Sequence, residues 1–444
     1  MTQNVTALFG MPGFEVLLTE MVDGEWYVGI ETPRDLVGCD ECGAVARVKD
    51  RRTVTVRDLP AAGVPVVIRW RKRIFECRYP LCPTKTWTEQ HSAIASRAVL
   101  TERARQWAFE QVGRHDRAVA PVAVGLGVAW NTIMRQVQFR GKPLVDDPRR
   151  LDGVSAAGVD ETAFLRACST HPTLYATGIA DLTPGRPARL LDVVEGRSGS
   201  VLAGWLGARD EHFRAQIVTA SLDPFRGYAT ALAAQLPKAV RVLDAFHVVK
   251  LALTCVDEVR RRTQQDTLGH RGHTQDPLFR TRRLLRRRAD RLTTKQRARL
   301  LASLLAGDPN DEVTAAWVVA QDLMAAYANL DRVAGKAAAE KLITTARTCP
   351  VREIARLGRT LSAWRTEFLA RFDHPGVSNG PTECLNLKVK NTKRAARGYR
   401  SFANYRLRLL LNHGSSEMIK PRRGSEPDDP GSLRRAIKPA LQTW

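Results

Sequence analysis

Long apolar runs are missing from this chain. No stretch of roughly 18 apolar residues occurs, so a membrane-spanning helix is excluded. The opening MTQNVTALFGMPGFE lacks a basic region followed by an apolar one, so no signal peptide is expected. Acids are scarce: 46 Asp and Glu face 69 Lys and Arg, giving a formal net charge of +23 and a pI near 10.3. That deficit excludes an acidic or neutral surface and argues for a polyanionic partner. Eight cysteines in 444 residues are too few for a disulfide framework in a chain with no secretory signal. Cys168, Cys255, Cys349 and Cys384 are scattered and read as reduced thiols.

The positive charge is clustered. Arg69, Arg71, Lys72 and Arg73 flank Trp70. Ten basic residues and one acid, Asp290, lie between Phe279 and Arg299, and eight basic residues and no acid between Lys388 and Arg408. Such runs suit phosphate contacts, although the 280–299 run reads equally as a solvated helix face.

The length allows two or three domains, and the pattern changes along it. Residues 1–92 carry short alternating β-rich runs (WYVGIE, VTVRD, VPVVIRWRKRIFECR). Residues 93–145 turn helical, and 141–152 are polar and contain proline. In 150–250, AAGVDETAFL, TLYATGIADL and ARLLDVVEG read as three strands. They are followed by a helix, the strand AQIVTASLD, a helix, and a fifth strand, AVRVLDAFHVVK. This is the order of an α/β domain with a mixed central sheet. Residues 251–375 show amphipathic helices only. Residues 376–414 form one or two further helices, and 415–444 are expected to be a disordered tail.

Four cysteines fall in two pairs separated by 34 residues: Cys39-x-x-Cys42 and Cys77-x4-Cys82. Zinc takes four thiolates in a tetrahedron, and tight turns present them in pairs. The expectation is a zinc ribbon holding structural Zn2+ with no open coordination position. Behind it, RAVAPVAVGLGVAWNTIMRQVQ places Gly125 and Gly127 between two short helices, as in a helix-turn-helix. The second helix is expected to start near Val128. It presents Trp130, Asn131, Thr132 and Arg135, early residues that can reach base edges; a purely structural helix pair is the other reading.

Three acids stand in unlike settings. Asp160 is expected at the end of the apolar strand AAGVD, with Glu161 on the opposite face. Asp223 follows AQIVTAS at a strand end, where sites in α/β sheets gather. Glu383 follows Ser378 or Asn379 near an N-cap, with Pro381 in the first turn. Asn386 and Lys390 share its helix face at i+3 and i+7. Lys393, Arg394 and Arg397 continue toward phosphate contacts. Three convergent carboxylates can hold two Mg2+ (or Mn2+) ions against a phosphodiester.

These pieces together resemble bacterial insertion-sequence transposases with an RNase H-like DDE domain, most closely the ISL-three type. The resemblance rests on the cysteine pairs, the helix-turn-helix, GVDE, VTASLDPFRGY, VLDAFHVVK and SNGPTECLNLKVKNTKRAARGYRSFANYRLR, from residue 35 to 412. Cys384 stands where the family often has glycine. The resemblance implies a metal-binding triad of Asp160, Asp223 and Glu383, with residues 250–372 as a helical insertion. Asp244 competes with Asp223 for the middle place; otherwise Asp244 and His247 sit on the neighbouring strand and its exit as auxiliary groups.

The expected fold is multidomain α/β: an N-terminal zinc ribbon, a helix-turn-helix, and an RNase H-like mixed sheet interrupted by an all-α insertion. The expected function is a DNA transposase that binds terminal inverted repeats and catalyses Mg-dependent strand cleavage and strand transfer. The alternative is a non-catalytic DNA-binding regulator with a decayed nuclease fold. Double-stranded DNA, a homodimer or higher assembly, no membrane, and a cytoplasmic, nucleoid-associated location complete the expectation.

Overall fold

The structure is a computed structural model and describes residues 9–414, so the expected tail 415–444 lies outside the described residues. The chain divides into two compact units, residues 1–147 with 392–444 and residues 148–391.

The first unit opens with β1 (Glu15–Val22), β2 (Glu25–Glu31), β3 (Arg47–Ala61), β4 (Val64–Glu76) and β5 (Thr86–Thr88). The sheet order is β1-β2-β4-β3, with β5 on the end of β4; β2 and β4 are parallel and the other pairs antiparallel. Strand β1 escapes alternation. Its register with β2 shifts between Val16 and Leu18, so Leu17 and Leu18 are both exposed and the period of two is lost. In β4, Ile68 and Trp70 point inward while Arg69 and Arg71 point out. The basic cluster expected around Trp70 is therefore only half available. Lys72 and Arg73 are buried, and Arg73 is held by Glu89 at 2.7 Å. A guanidinium leaves water only with such a partner.

Helices α1 (Glu102–Gly113), α2 (Val119–Gly125) and α3 (Trp130–Val145) follow. Thr101 caps α1 by accepting from the Ala104 N–H, and its hydroxyl donates to Asp58 of β3 at 2.5 Å. Arg103 also binds Asp58, so the first turn of α1 is tied to the sheet. The α2–α3 turn passes through Gly127 at φ +62°, a conformation that disfavours a Cβ. This is the expected helix-turn-helix, with its second helix beginning at Trp130.

The second unit is built on the sheet β10-β9-β6-β7-β8. Its strands are β6 (Ala156–Leu165), β7 (Leu174–Asp181), β8 (Arg189–Glu195), β9 (Thr219–Leu222) and β10 (Val240–Leu243). The first three run antiparallel, and β9 and β10 run parallel to β6. Parallel neighbours need crossovers, supplied by α4 (Gly199–Gly207), α5 (Glu211–Gln216) and α6 (Arg226–Gln235). This is the mixed RNase H-like sheet. Two strands are shorter than their sequence pattern. The helix α5 takes the start of AQIVTASLD. The fifth strand stops at Leu243 because Asp244 caps α7 (Ala245–Leu268), accepting from the His247 N–H. The expectation that His247 sits at a strand exit is thereby corrected: it lies in the first turn of a helix.

From α7 the chain is helical: α8 (Pro277–Thr281), α9 (Thr294–Gly307), α10 (Glu312–Ala328), α11 (Arg332–Arg347), α12 (Arg352–Ala363) and α13 (Arg365–Asp373). One continuous apolar core joins the sheet (Val159, Leu222) to these helices (Leu323, Phe368). Trp364 belongs to that core. Helix α14 (Gly380–Ala395) follows, and α15 (Phe402–His413) returns to the first unit, where Gly141 of α3 leaves room for Leu407 and Leu411. There Asp116 accepts from Thr392, Arg408 and Asn412. Among the described residues no helix is long and apolar enough to cross a membrane.

Candidate active site and zinc site

The four paired cysteines meet. The sulfurs of Cys39 and Cys82 are 3.8 Å apart and those of Cys42 and Cys77 are 3.5 Å apart, and all four ligand atoms lie within 4.8 Å of one another. Sulfurs about 2.3 Å from one tetrahedral ion stand about 3.8 Å apart, so the cluster fits zinc. It is too open for disulfides, and all four thiols are free. Burial and the neighbouring thiols push Cys82 up to about 12. Coordination by zinc removes such a proton.

In the second unit the acids form a row set by strand register. Val159 of β6 pairs with Leu222 of β9, and Leu222 with Leu243 of β10. The next residue on each strand is Asp160, Asp223 and Asp244. Asp160 does not end its strand as expected. It is mid-strand, because β7 continues pairing beyond the end of β9, with Gly178 opposite Asp160. Glu161 faces outward toward Arg197, the alternation expected. Glu383 enters from the first turn of α14.

His247 sits among these carboxylates. Its Nδ1 is 2.9 Å from Asp223, 3.1 Å from Asp244 and 3.9 Å from Glu383. The Asn386 side-chain amide donates to Asp160, as does the Glu161 N–H at 2.7 Å. Asn379 was expected only as a cap. It donates from its backbone N–H to Asp244 at 3.0 Å and from its side chain to Asp223 at 3.2 Å. The Asn379 Oδ1 and Thr382 Oγ1 are buried with no partner among the described residues, and a Cβ on Gly158 of β6 would stand within 3.1 Å of both. That glycine lets α14 approach the sheet. Gly158→Ala should push α14 outward, costing about 1–3 kcal/mol; a lowered Tm in thermal denaturation is the check.

The electrostatics are those of crowded negative charge. Burial, and then Asp223, push Asp160 up to about 7. Burial also raises Glu383. Burial works against a charged His247, yet Asp223 and Asp244 hold it up to about 10. Asp244 is buried too, but His247 and the Asn379 N–H bring it below the usual range. The imidazolium thus offsets part of the negative charge of Asp223 and Asp244, while Asp160 accepts from the Asn386 amide and the Glu161 N–H. The donor set and the excess charge fit hard divalent cations.

Among the described residues, Asp244, His247 and Glu383 bring one ligand atom each within 4.8 Å of one another. Asp244 is nearly enclosed, however, with side-chain exposure of 3%, and both its oxygens are occupied; Asp223 and Glu383 keep 20% and 36%. Lys390 is exposed. Trp130, Asn131 and Arg135 are exposed along the start of α3, with Thr132 half-buried. Arg394 and Arg397 are exposed near the end of α14, where Lys393 is half-buried.

The family model for ISL3 transposases, described as a transposase, matches residues 157–409, more than half the chain. A second, described as the zinc-finger of transposase IS204/IS1001/IS1096/IS1165, matches residues 35–82. The chain is 27% identical to the transposase for insertion sequence element IS1557 of Mycobacterium tuberculosis over 62% of its length, and spans 63% of that relative. It is 26% identical to the transposase for insertion sequence element IS1001 of Bordetella parapertussis, over 84% of this chain and 87% of that one. A solved structure, the Drosophila P element transposase strand transfer complex, superposes with a TM-score of 0.40 at 10% identity, covering 73% of this chain and 94% of that one. That overlap carries no argument. The matched transposase and zinc-finger segments together establish that this chain belongs to the ISL3 family of insertion-sequence transposases.

Proposed function

We propose that the chain binds the terminal inverted repeats of an insertion sequence and carries out strand cleavage and strand transfer on DNA. What supports this is that Asp223 and Glu383, far apart in sequence, both approach His247, at 2.9 and 3.9 Å, and that Asp160 on the neighbouring strand feels the charges of Asp223 and His247. In this reading the three carboxylates hold two Mg2+ (or Mn2+) ions. When bound, those ions activate the attacking oxygen and stabilise the leaving oxygen. Asn386 and Asn379 hold Asp160 and Asp223 in place by their amides. Asp244 anchors the start of α7 and positions His247. Cleavage frees a 3′-hydroxyl, which then attacks target DNA in line.

The segments divide the work. The zinc ribbon (1–92) and helix-turn-helix (93–145) read the ends. Segments 150–250 and 376–414 supply the acids, and 251–375 buttresses them. Two ends must be joined, which calls for a dimer or larger assembly. Phosphate contacts from Lys393, Arg394, Arg397 and the 280–299 run make binding salt-sensitive. Affinity for an end-containing duplex should fall by about 10³-fold or more between 50 and 200 mM salt if roughly six phosphates are contacted; fluorescence anisotropy at stepped salt measures the slope.

The middle acid is tested by two substitutions. Asp223→Ala should abolish divalent-dependent nicking with little change in stability. Asp244→Ala should mainly lower stability, by about 0.5–2 kcal/mol, through loss of the α7 cap. Normal nicking in Asp223→Ala would hand the role to Asp244. Binding without nicking by the unaltered chain, in any divalent ion, would favour a DNA-binding regulator instead.

A further inference from the structure

A cavity of about 680 Å³ lies in the first unit, between the α2–α3 pair and the segment 395–408, and none of the acids lines it. Its size is that of a small-molecule site, typically about 300–1,000 Å³. One wall begins where α14 ends. Arg397 turns back at φ +56° and Gly398 at φ +98°, and the Gly398 N–H bonds the Lys393 carbonyl. This turn sets Tyr399 against Tyr405 and beneath the Arg408 guanidinium. The Tyr399 hydroxyl is buried and has no partner among the described residues. The Nε of Arg408 also has none, although that side chain is 2% exposed. Buried polar groups left in that state favour a ligand that pairs with them. Trp130, 45% exposed at the start of α3, forms the opposite wall. At the mouth Arg397 and Arg400 are exposed and have no ion pair among the described residues.

A flat aromatic wall, two unpaired polar groups inside and two uncompensated cations outside match one chemistry: a heteroaromatic base carrying a phosphate. A paired base cannot enter, because it stays stacked within its duplex; an unpaired one can. We propose that this cavity takes one unpaired nucleotide of DNA, its base against Trp130 and near the Tyr399 hydroxyl, its phosphate at Arg397 and Arg400. The inference rests on the DNA-binding reading above and adds to it a preference for frayed or single-stranded ends.

The test compares a blunt duplex with the same duplex carrying an overhang of about five thymidines. The full-length, zinc-loaded chain is used, and the readout is anisotropy. The overhang should tighten binding about tenfold or more, the range expected of one base stacked on an aromatic ring. That ratio should fall to near one in Trp130→Ala and in Arg400→Ala, and about threefold in Tyr399→Phe, which keeps the ring. A 2-aminopurine placed along the overhang should be quenched most at one position. A ratio near one in the unaltered chain, with the blunt duplex still bound, overturns the cavity proposal alone, as does a ratio that all three variants preserve. Failure to bind either duplex overturns the DNA-binding reading as well.

Discussion

Asp160→Asn should reduce divalent-dependent strand cleavage by about a thousandfold or more while leaving the chain folded. The size follows from the role: losing a charged group that stabilises the reacting centre costs about 3–4 kcal/mol or more. The sign of the stability effect is opposite to that of an acid held ionised by an ion pair. The folded value of Asp160 is raised from 3.8 to about 7. Its ionised form is therefore disfavoured by folding, with no penalty below the unfolded value and the full penalty above about pH 7. At pH 8 without added divalent ion, the asparagine variant should melt at the same temperature as the parent or higher. Added Mg2+ should stabilise the parent and not the variant. Asn386, which donates to Asp160, can bond the carbonyl of the new amide, so the site keeps its shape. A variant that nicks normally, or that loses both fold and activity, would remove Asp160 from the chemistry.

The second large effect belongs to the ribbon. Cys42→Ser should lose the bound zinc and unfold the two cysteine turns that precede β3 and follow β4. Structural zinc contributes an apparent 10–16 kcal/mol in small zinc modules, roughly, which exceeds the net stability of most domains. Little else holds this corner together. Beside Cys39, Cys77 and Cys82, its own apolar cluster has only Ala44 and Trp87 packed against it. Metal analysis should give one zinc per parent chain and none per variant, and limited proteolysis should cut the variant first at the two cysteine turns. Because α1 is tied to β3 through Asp58, sequence-specific DNA binding should fall with it. A variant that retains zinc and resists protease would contradict the ribbon.

Local chemistry was readable from the sequence, and long-range register was not. The cysteine pairs announce themselves because each knuckle is a short turn. The helix-turn-helix is marked by Gly127, which the turn requires at positive φ. Asp160 and Asp223 were legible because each follows a β-rich run, and Glu383 because Ser378, Asn379 and Pro381 mark a helix start. What escaped was the row they form. Nothing in the strings AAGVD, IVTASLD and VRVLD says that Val159, Leu222 and Leu243 align across three strands. The run VLDAFHVVK is rich in residues that suit either a strand or a helix, and its break at Asp244 depends on the capping bond to His247. Strand β1 was hidden by a bulge that places two leucines in succession outside. Asn379 was recognised as a helix start and not as a partner of two acids, since those partners lie more than a hundred residues away. His247 among the carboxylates has no local signature at all.

The most direct test of the central claim is anomalous scattering from crystals soaked in Mn2+. The account predicts density bonded to Asp160 and Asp223, with Glu383 on the same ion or a neighbouring one and His247 withdrawn from its present place. No density at the acids, or an ion held by Asp244 and His247 with Asp160 and Asp223 bare, would contradict it.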